Sequence, residues 1–514
     1  MTCNRDTEAA WRYHNYTKHS YQSIRADRHY LDWSNQPSPF KIYPSIDPIR
    51  LPVEFAWTGA RALDVIASTG VERSGEIKPT LDQLASLLLY SAGVTKEKKY
   101  PGGSIYFRAA ACAGALYPIE TYVVCGDIDG LEAGVYHFNP GDFSLRRLRE
   151  GDHRDVLLQA TASARAISSG PVILVYSAIS FRSTWKYRDR AYRYHFWDNG
   201  MILANALAMA AAHGLPAEVV SGFAEASVNR LIGIDGESEL ALSLFAIGHT
   251  IGSPPVPRVP ESLSELSYEV IPLSPAPVDY PSIREMHNAS SLTHEEVASW
   301  RESAFVQGAQ NVEGGSTVLS PFGDNELPDA SIEEVIERRG STRRFARKPI
   351  SFAQLSTILE RATHGVPIEC LDASAHLNDL YLIVNRVDGL EPGAYFYRRG
   401  DRALELLKPG DFSRKASYLT LEQDLGGDAS ATIFFMTDLR AVLASFGNRG
   451  YRAAQMEAGI IGGKMYLTAY ALKRGATGLT FYDDDVTDFF SPHATRKSCM
   501  LVVSVGVPGK RLVF

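Results

Sequence analysis

Residues 80–93 (TLDQLASLLLYSAG) and 351–365 (SFAQLSTILERATHG) each open on a hydroxyl residue, place Gln three positions later, continue with leucines at helical spacing and close on Gly. That pattern predicts a capped helix at both places, since the hydroxyl and the Gln side chain satisfy backbone N–H groups that a helix start leaves free. The runs ETYVVCGDI from Glu120 and DLYLIVNRV from Asp379 are short, β-rich and lead into Asp-Gly. GVYHF and GAYFY follow, each ahead of a Gly-Asp turn, and supply a hairpin partner. Residues 198–214 are apolar nearly all round, which suits a helix buried in a core or an interface. Residues 252–281 are proline-rich and predict an extended strap. Helices and short antiparallel strands mixed in this way read as an α+β fold.

The same pattern occurs twice. DGLEAGVYHFNPGD begins at Asp129 and DGLEPGAYFYRRGD at Asp388, 259 positions later (388 minus 129). RAYRYHFWDNG from Arg190 returns as RGYRAAQMEAG from Arg449, again after 259. PVILVYSAI from Pro171 returns as ATIFFMTDL from Ala431 after 260, and LFAIG ending at Gly248 returns as VVSVG ending at Gly506 after 258. Landmarks kept in order at almost constant spacing mean one fold written twice. The expected layout is an N-terminal extension (1–50), a first domain (51–252), a strap (253–329) and a second domain (330–514). Such a chain is the covalent counterpart of a homodimer, an internal pseudo-dimer that could itself pair again. A site built from both halves, present twice in a symmetric dimer, can then be kept once and lost once.

With 514 residues the chain is too long for one core, and 45% apolar with 22% charged residues is ordinary soluble composition. A net charge of -7 offers no general attraction to a polyanion, so nucleic acid is not an expected partner. No run reaches the roughly 18 apolar residues of a membrane span, and the charged start does not resemble a secretion signal. A cytoplasmic protein without a membrane partner is expected. Cys3, Cys112, Cys125, Cys370 and Cys499 show neither CxxC spacing nor His partners, so neither a metal site nor a disulfide framework is expected.

Three clusters carry chemistry. In ERRGSTRRF (residues 337–345), Arg339, Ser341 and Arg343 alternate, so an extended backbone turns two guanidiniums and a hydroxyl toward one anion; a solvated basic turn is the competing reading. The matching ERSGEIKP (72–79) keeps Arg73 and Ser74 and lacks the other arginines. RAAACAGALYPIE (108–120) is a small-residue loop, either a close-packed turn or a place where backbone approaches a flat ligand; Cys112 reads there as a contact and not a nucleophile. Its counterpart from Cys370, CLDASAHLNDL, lacks the glycine and the proline. WKYRDRAYRYHFWDNG (185–200) reads as a helix face with snorkelling basic residues, yet Lys186 and Tyr187, a pair able to move a proton, face Ser445 and Phe446 in the other copy. His137, His195 and His213 read as structural.

With these residues in view the chain resembles the flavin-dependent nitroreductase superfamily, and within it the SagB-type thiazole/oxazole-forming dehydrogenases in tandem-domain form. Arg339, Ser341, Arg343 and Phe345 are similar to that superfamily's flavin mononucleotide (FMN) phosphate motif, and ACAGALYPIETYVV, DGLEAGVYHF, KYRDRAYRY with Gly200 and Asn205, and the lead segment 31–44 resemble the SagB type. The resemblance implies a duplicated nitroreductase-like fold with flavin at the interface of the copies. Domain 2 would supply Arg339, Ser341, Arg343 and the C-terminal Lys510 and Arg511; domain 1 would supply Arg108, Cys112, Ala113, Gly114, Ala115, Tyr117 and the catalytic pair Lys186 and Tyr187. It implies one working FMN per chain, because the opposite pocket would need 72–79 and 370–378. The activity implied is oxidation of an azoline-type small-molecule or modified-peptide substrate, with NAD(P)H-dependent nitro- or quinone reduction and flavin-free binding as alternatives. The family's Pro-Ser in the loop is Ala111-Cys112 here, and its His after the helix glycine is Met201.

Overall fold

The computed structural model describes all residues except 1–2, 69–73, 101–102, 253–262, 304, 306–314, 373–374 and 511–514. Numbered along the chain, the strands of its two large sheets are β1 (Pro48–Arg50), β2 (Ile119–Cys125), β3 (Gly134–Asn139), β4 (Ser144–Glu150), β5 (Val172–Ile179), β6 (Ala217–Val220) and β7 (Glu239–Ile247) in the first lobe. The second lobe holds β8 (Ser316–Val318), β9 (Asp379–Val384), β10 (Gly393–Arg398), β11 (Ala403–Pro409), β12 (Ala431–Thr437), β13 (Gly475–Leu479) and β14 (Ser498–Gly506). Their orders, β1-β4-β3-β2-β5-β7-β6 and β8-β11-β10-β9-β12-β14-β13, are the same, and every neighbouring pair is antiparallel. The hairpins form as read from sequence, with Tyr122 opposite His137 and Tyr381 opposite Phe396. The duplicated α+β fold is thus realised strand for strand.

Both capped helices are present, Leu81–Ala92 with Thr80 and Gln83 in a reciprocal cap and Phe352–Thr363 with Ser351 and Gln354. The apolar stretch 198–214 lies in a longer helix, Ala191–Ala212, whose partner is Asn448–Ala471; these two core helices pack on each other along the lobe interface. They cross where Gly200 meets Gly459: a Cβ on Gly200 would lie 2.6 Å from the Gly459 backbone. The first lobe also has a hairpin, Val94–Tyr100 with Gly103–Arg108, that runs into the small-residue loop.

Two basic residues of the aromatic run, Arg190 and Arg193, do not snorkel. Arg190 and Arg193 are buried and bind Asp483 of the other lobe at 2.8 and 2.7 Å, and their counterparts Arg449 and Arg452 reach across to Glu225. Each cluster also fastens a lead segment. Arg193 donates to the His14 carbonyl (2.7 Å) and the Thr17 hydroxyl, and the Asp483 carboxylate accepts the His19 N–H (2.8 Å). Arg452 donates to the His287 carbonyl (2.6 Å) and the Ser290 hydroxyl, and Glu225 accepts the Leu292 N–H (2.8 Å). His14, Thr17 and His19 therefore correspond to His287, Ser290 and Leu292, 273 positions on. The helices Glu8–Tyr16 and Tyr21–Ala26 repeat as Pro281–Ala289 and His294–Arg301. The region between the lobes thus carries a second lead segment, which follows the proline-rich strap. Burial alone would raise the Asp483 carboxyl, but Arg190 and Arg193 hold it well below the usual carboxylate range. Arg193→Ala, which leaves that carboxylate buried with one cation fewer, is expected to cost roughly 3–5 kcal/mol, read as a lower denaturation midpoint at neutral pH. The deficit should narrow as pH falls below the ordinary Asp pKa of about 4, where the ion pair weakens in the wild type as well.

Candidate functional site

The small-residue loop is held from beneath by the first core helix. Asp198, buried on that helix, accepts the Ala113 N–H at 2.8 Å and lies 3.2 Å from the Cys112 sulfur. Burial pushes the Asp198 carboxyl up to about 7, against the pull of these two donors. The same burial, with Asp198 beside it, pushes the Cys112 thiol well up, away from the thiolate form that a nucleophile needs. Gly114, Ala115 and Tyr117 all have positive φ (64, 55 and 51°). Three such residues in four positions mark a backbone held in an uncommon shape by its surroundings. Gly114 is required as glycine: a Cβ there would lie 2.7 Å from the Tyr187 hydroxyl. A narrow cleft runs beside the loop between Ala110, Cys112, Tyr117, Asp198 and Ile202.

Arg339 follows helix Ile332–Arg338 and crosses to this loop, donating to the carbonyls of Ala109 (2.9 Å) and Arg108 (3.1 Å). The alternation expected to turn Arg339, Ser341 and Arg343 the same way does not hold at Arg339: its guanidinium ties the lobes together. Arg343 is exposed and, among the described residues, has no ion-pair partner. It is near enough to Tyr187 for its charge to act on the phenol. Ser341 is half-buried between them in sequence, beside Thr342, whose N–H bonds to Ala476 (2.9 Å). The chain end runs alongside: Phe345 bridges to Pro508, and the Gly509 N–H donates to the Arg344 carbonyl (2.8 Å). Exposed Lys510 is thereby placed beside the arginine stretch, while Arg511 lies outside the described residues. Arg108, which the resemblance implies as a flavin residue, turns into the protein. It is buried, and its guanidinium donates to the carbonyls of Pro39 (2.6 Å) and Ile119 (3.1 Å), because a buried cation must find acceptors and the loop ends offer them. It shapes the loop.

Lys186 and Tyr187 end the helix Ser180–Tyr187. The Tyr187 ring packs on Tyr194 (4.4 Å between centroids), and burial pushes its hydroxyl well above the usual range, so it stays protonated. Lys186 is exposed, with Nζ 5.4 Å from the Tyr187 ring centre. Lys186 is not buried against its basic neighbours: Arg190 turns inward to Asp483, and Arg188 pairs with Asp27 at 2.9 Å. Above the pair lies a cavity of about 450 Å³, roofed by helix Tyr21–Ala26 and reaching Asp27 and Tyr194. Larger clefts, of 540 and 1070 Å³, border Arg149 and Glu225 and contain none of the residues singled out from sequence.

The opposite pocket differs at each matching place. Ile77 pairs with His249 as Phe345 pairs with Pro508, so Gly75 stands where Arg343 does; Glu72 and Arg73 lie outside the described residues. Glu457, the counterpart of Asp198, binds the Leu377 and Asn378 N–H groups at 3.0 and 2.8 Å. Among the described residues the donor set therefore gathers on one side: Arg343 and Lys510, without an ion-pair partner among those residues, suit an anionic phosphate, and the loop with its bare Gly114 suits a flat ring. These residues fit FMN.

Residues 77–249 and 336–507 match the profile of the Nitroreductase family. The Methanocaldococcus jannaschii protein MJ1384, named for the nitroreductases, is 31% identical over 172 residues, covering 34% of this chain and 82% of that one. The trifolitoxin-processing protein TfxB of Rhizobium leguminosarum bv. trifolii is 31% identical over 183 residues, 33% of this chain and 47% of its own length. A crystal structure of a nitroreductase from Anabaena variabilis superposes with a TM-score of 0.76 at 27% identity, over 98% of this chain and 99% of that one.

Asp198→Asn keeps an acceptor for Ala113 and removes the charge. A carboxyl whose folded pKa is raised contributes most to stability while protonated, and loses that contribution as pH rises from about 4 toward 7. Between those limits the wild type is expected to lose stability against Asp198→Asn, by on the order of 1.4 kcal/mol per pH unit, measured as the gap between denaturation midpoints.

Proposed function

The chain belongs to the nitroreductase family, carrying two of its domains in tandem, and on that premise we propose that it is an FMN-dependent oxidoreductase with one composite flavin site between its lobes. The observation that carries this reading is that Arg343, the Gly114 loop and Tyr187 converge from both lobes on one side of the interface. Arg343 and Lys510 hold the phosphate, and Ser341 adds a hydroxyl. The loop 112–117 lies along the ring, fixed by Asp198 from below and by Arg339 from the other lobe. Bound FMN would supply two-electron transfer, a chemistry no side chain offers.

The substrate proposed is an azoline-type ring in a small molecule or modified peptide, oxidised to the aromatic azole as in the SagB type; likeness to a trifolitoxin-processing protein supports a peptide. Lys186 takes the proton that leaves the ring, and Tyr187 holds the ring by its protonated hydroxyl. Lys186 stands exposed at the cavity, so bound substrate completes this site. The segment after helix Tyr21–Ala26 borders the cavity at Asp27 and is fastened by the Trp185 indole N–H on the Asp32 carbonyl (2.8 Å) and by His29 at the Trp185 carbonyl (3.2 Å). Reduction of a nitroaromatic or quinone by NAD(P)H is the second reading, favoured by the name of the M. jannaschii relative.

The purified chain is expected to be yellow with one FMN. Arg343→Ala is expected to weaken FMN about 10- to 100-fold, the loss of one charge-assisted contact, by fluorescence titration. Lys186→Ala and Tyr187→Phe should keep FMN and lose turnover; unchanged turnover overturns their roles. Loss of two hydrogens from a cyclised peptide supports the dehydrogenase, and bleaching by NAD(P)H alone supports the reductase. A colourless protein that takes up no FMN overturns both.

A further inference from the structure

The second pocket is not simply an eroded copy of the first. Trp300, from the helix His294–Arg301 of the second lead segment, is buried at the place where the lobes would form that pocket. Its indole packs 5.5 Å from the Phe446 ring, and its N–H donates to the Phe446 carbonyl (2.9 Å). Phe446 is the counterpart of Tyr187, 259 positions on. The other side of the indole meets Gly222 so closely that a Cβ there would lie 2.8 Å from the ring. Glu369, counterpart of Ala110 in the first pocket's cleft, accepts the N–H groups of Ser221 (2.7 Å) and Gly222 (2.5 Å) beside it. The Arg449 guanidinium lies 5.8 Å from the indole centre, and Phe305 stacks on Phe446 from outside.

The lead repeat identifies what stands in the first pocket at the same place. Helix Tyr21–Ala26 matches helix His294–Arg301 at 273 positions, which sets Asp27 opposite Trp300. Asp27 borders the open cavity of about 450 Å³ that reaches Tyr187 and Tyr194. The first lead segment thus leaves a cavity beside Tyr187, and the second sets an aromatic ring against Phe446.

We propose that Trp300, seated with Glu369, is a built-in occupant of the second pocket: the chain's own indole fills the space that would otherwise admit a planar aromatic ring. The proposal rests on the flavin reading of the first pocket and adds that loss of the second has a steric cause, separate from the missing arginines. Restoring a cationic grip at Gly75 would not reopen it while Trp300 is in place.

The test uses the full chain saturated with FMN, and lumiflavin as probe, because a flavin ring without phosphate does not depend on the absent grip. By equilibrium dialysis the wild type should bind no lumiflavin beyond its FMN, whereas Trp300→Gly should bind one per chain, displaced by indole. Trp300→Phe, which keeps a ring in place, should behave as wild type. If Trp300→Gly fails to fold by circular dichroism, Trp300→Val is measured in its place with the same expectation. A folded small-residue variant that takes neither lumiflavin nor indole overturns the proposal, as does wild type carrying two FMN. Wild type with no FMN would instead overturn the flavin reading, while lumiflavin uptake by the variant would still report on Trp300.

Discussion

Two pairs of buried arginines reach across the lobe interface to two carboxylates, Arg190 and Arg193 to Asp483 and Arg449 and Arg452 to Glu225, and the rest of the molecule is arranged around them. Charges taken out of water persist only beside opposite charge and hydrogen-bond partners, so these clusters constrain which backbone must lie against them. The answer comes from three sources at once: the helix that bears the arginines, the opposite lobe that bears the acid, and a lead segment that offers carbonyls and hydroxyls. Such a pair adds little net stability over an apolar contact, but it tolerates few alternative alignments. With lobes and leads in register, a pocket assembled from both lobes has a defined shape.

The two interfaces diverge through a handful of positions. Where one has Arg343, the other has Gly75; where one turns through Arg188 with φ of 49°, the other uses Gly447 at 67°. Asp198 and Glu457 hold the same loop from the same helix position, yet the shorter acid holds Ala113 and Cys112 and the longer one holds Leu377 and Asn378. The scaffold is symmetric and the side chains lining the two clefts are not. That separation lets the duplicated strands be conservative while the pocket walls differ.

Much of the fold was legible because local signals agree with the tertiary answer: hydroxyl-xx-Gln caps at residues 80 and 351, paired β runs, and an all-apolar helix that had to be interior. The small-residue loop was recognisable for the same reason, since only bare backbone admits close approach. Side-chain direction was less legible. Arg108 and Arg339 look like ligand arginines in sequence, and in the structure their guanidiniums donate to backbone carbonyls. Asp198 was overlooked inside its apolar helix, although a carboxylate in such surroundings must have a partner, and that was the available signal. The lead repeat escaped because its interval, 273, differs from the 259 of the lobes, and only His-Asn at 14–15 and 287–288 survives as visible likeness.

That mismatch of intervals bears on history. Lead and lobe were copied together, since both halves place a His carbonyl, a hydroxyl and a backbone N–H on the same arginine-carboxylate cluster. The unit that was duplicated was therefore already a subunit with an arm, able to embrace an identical sister before any fusion. Most of the difference of 14 positions lies inside the body: the capped helices still correspond at 271 (351 minus 80), and the interval falls to 259 only beyond the hairpin Val94–Tyr100 with Gly103–Arg108, which among the described residues the first lobe alone carries.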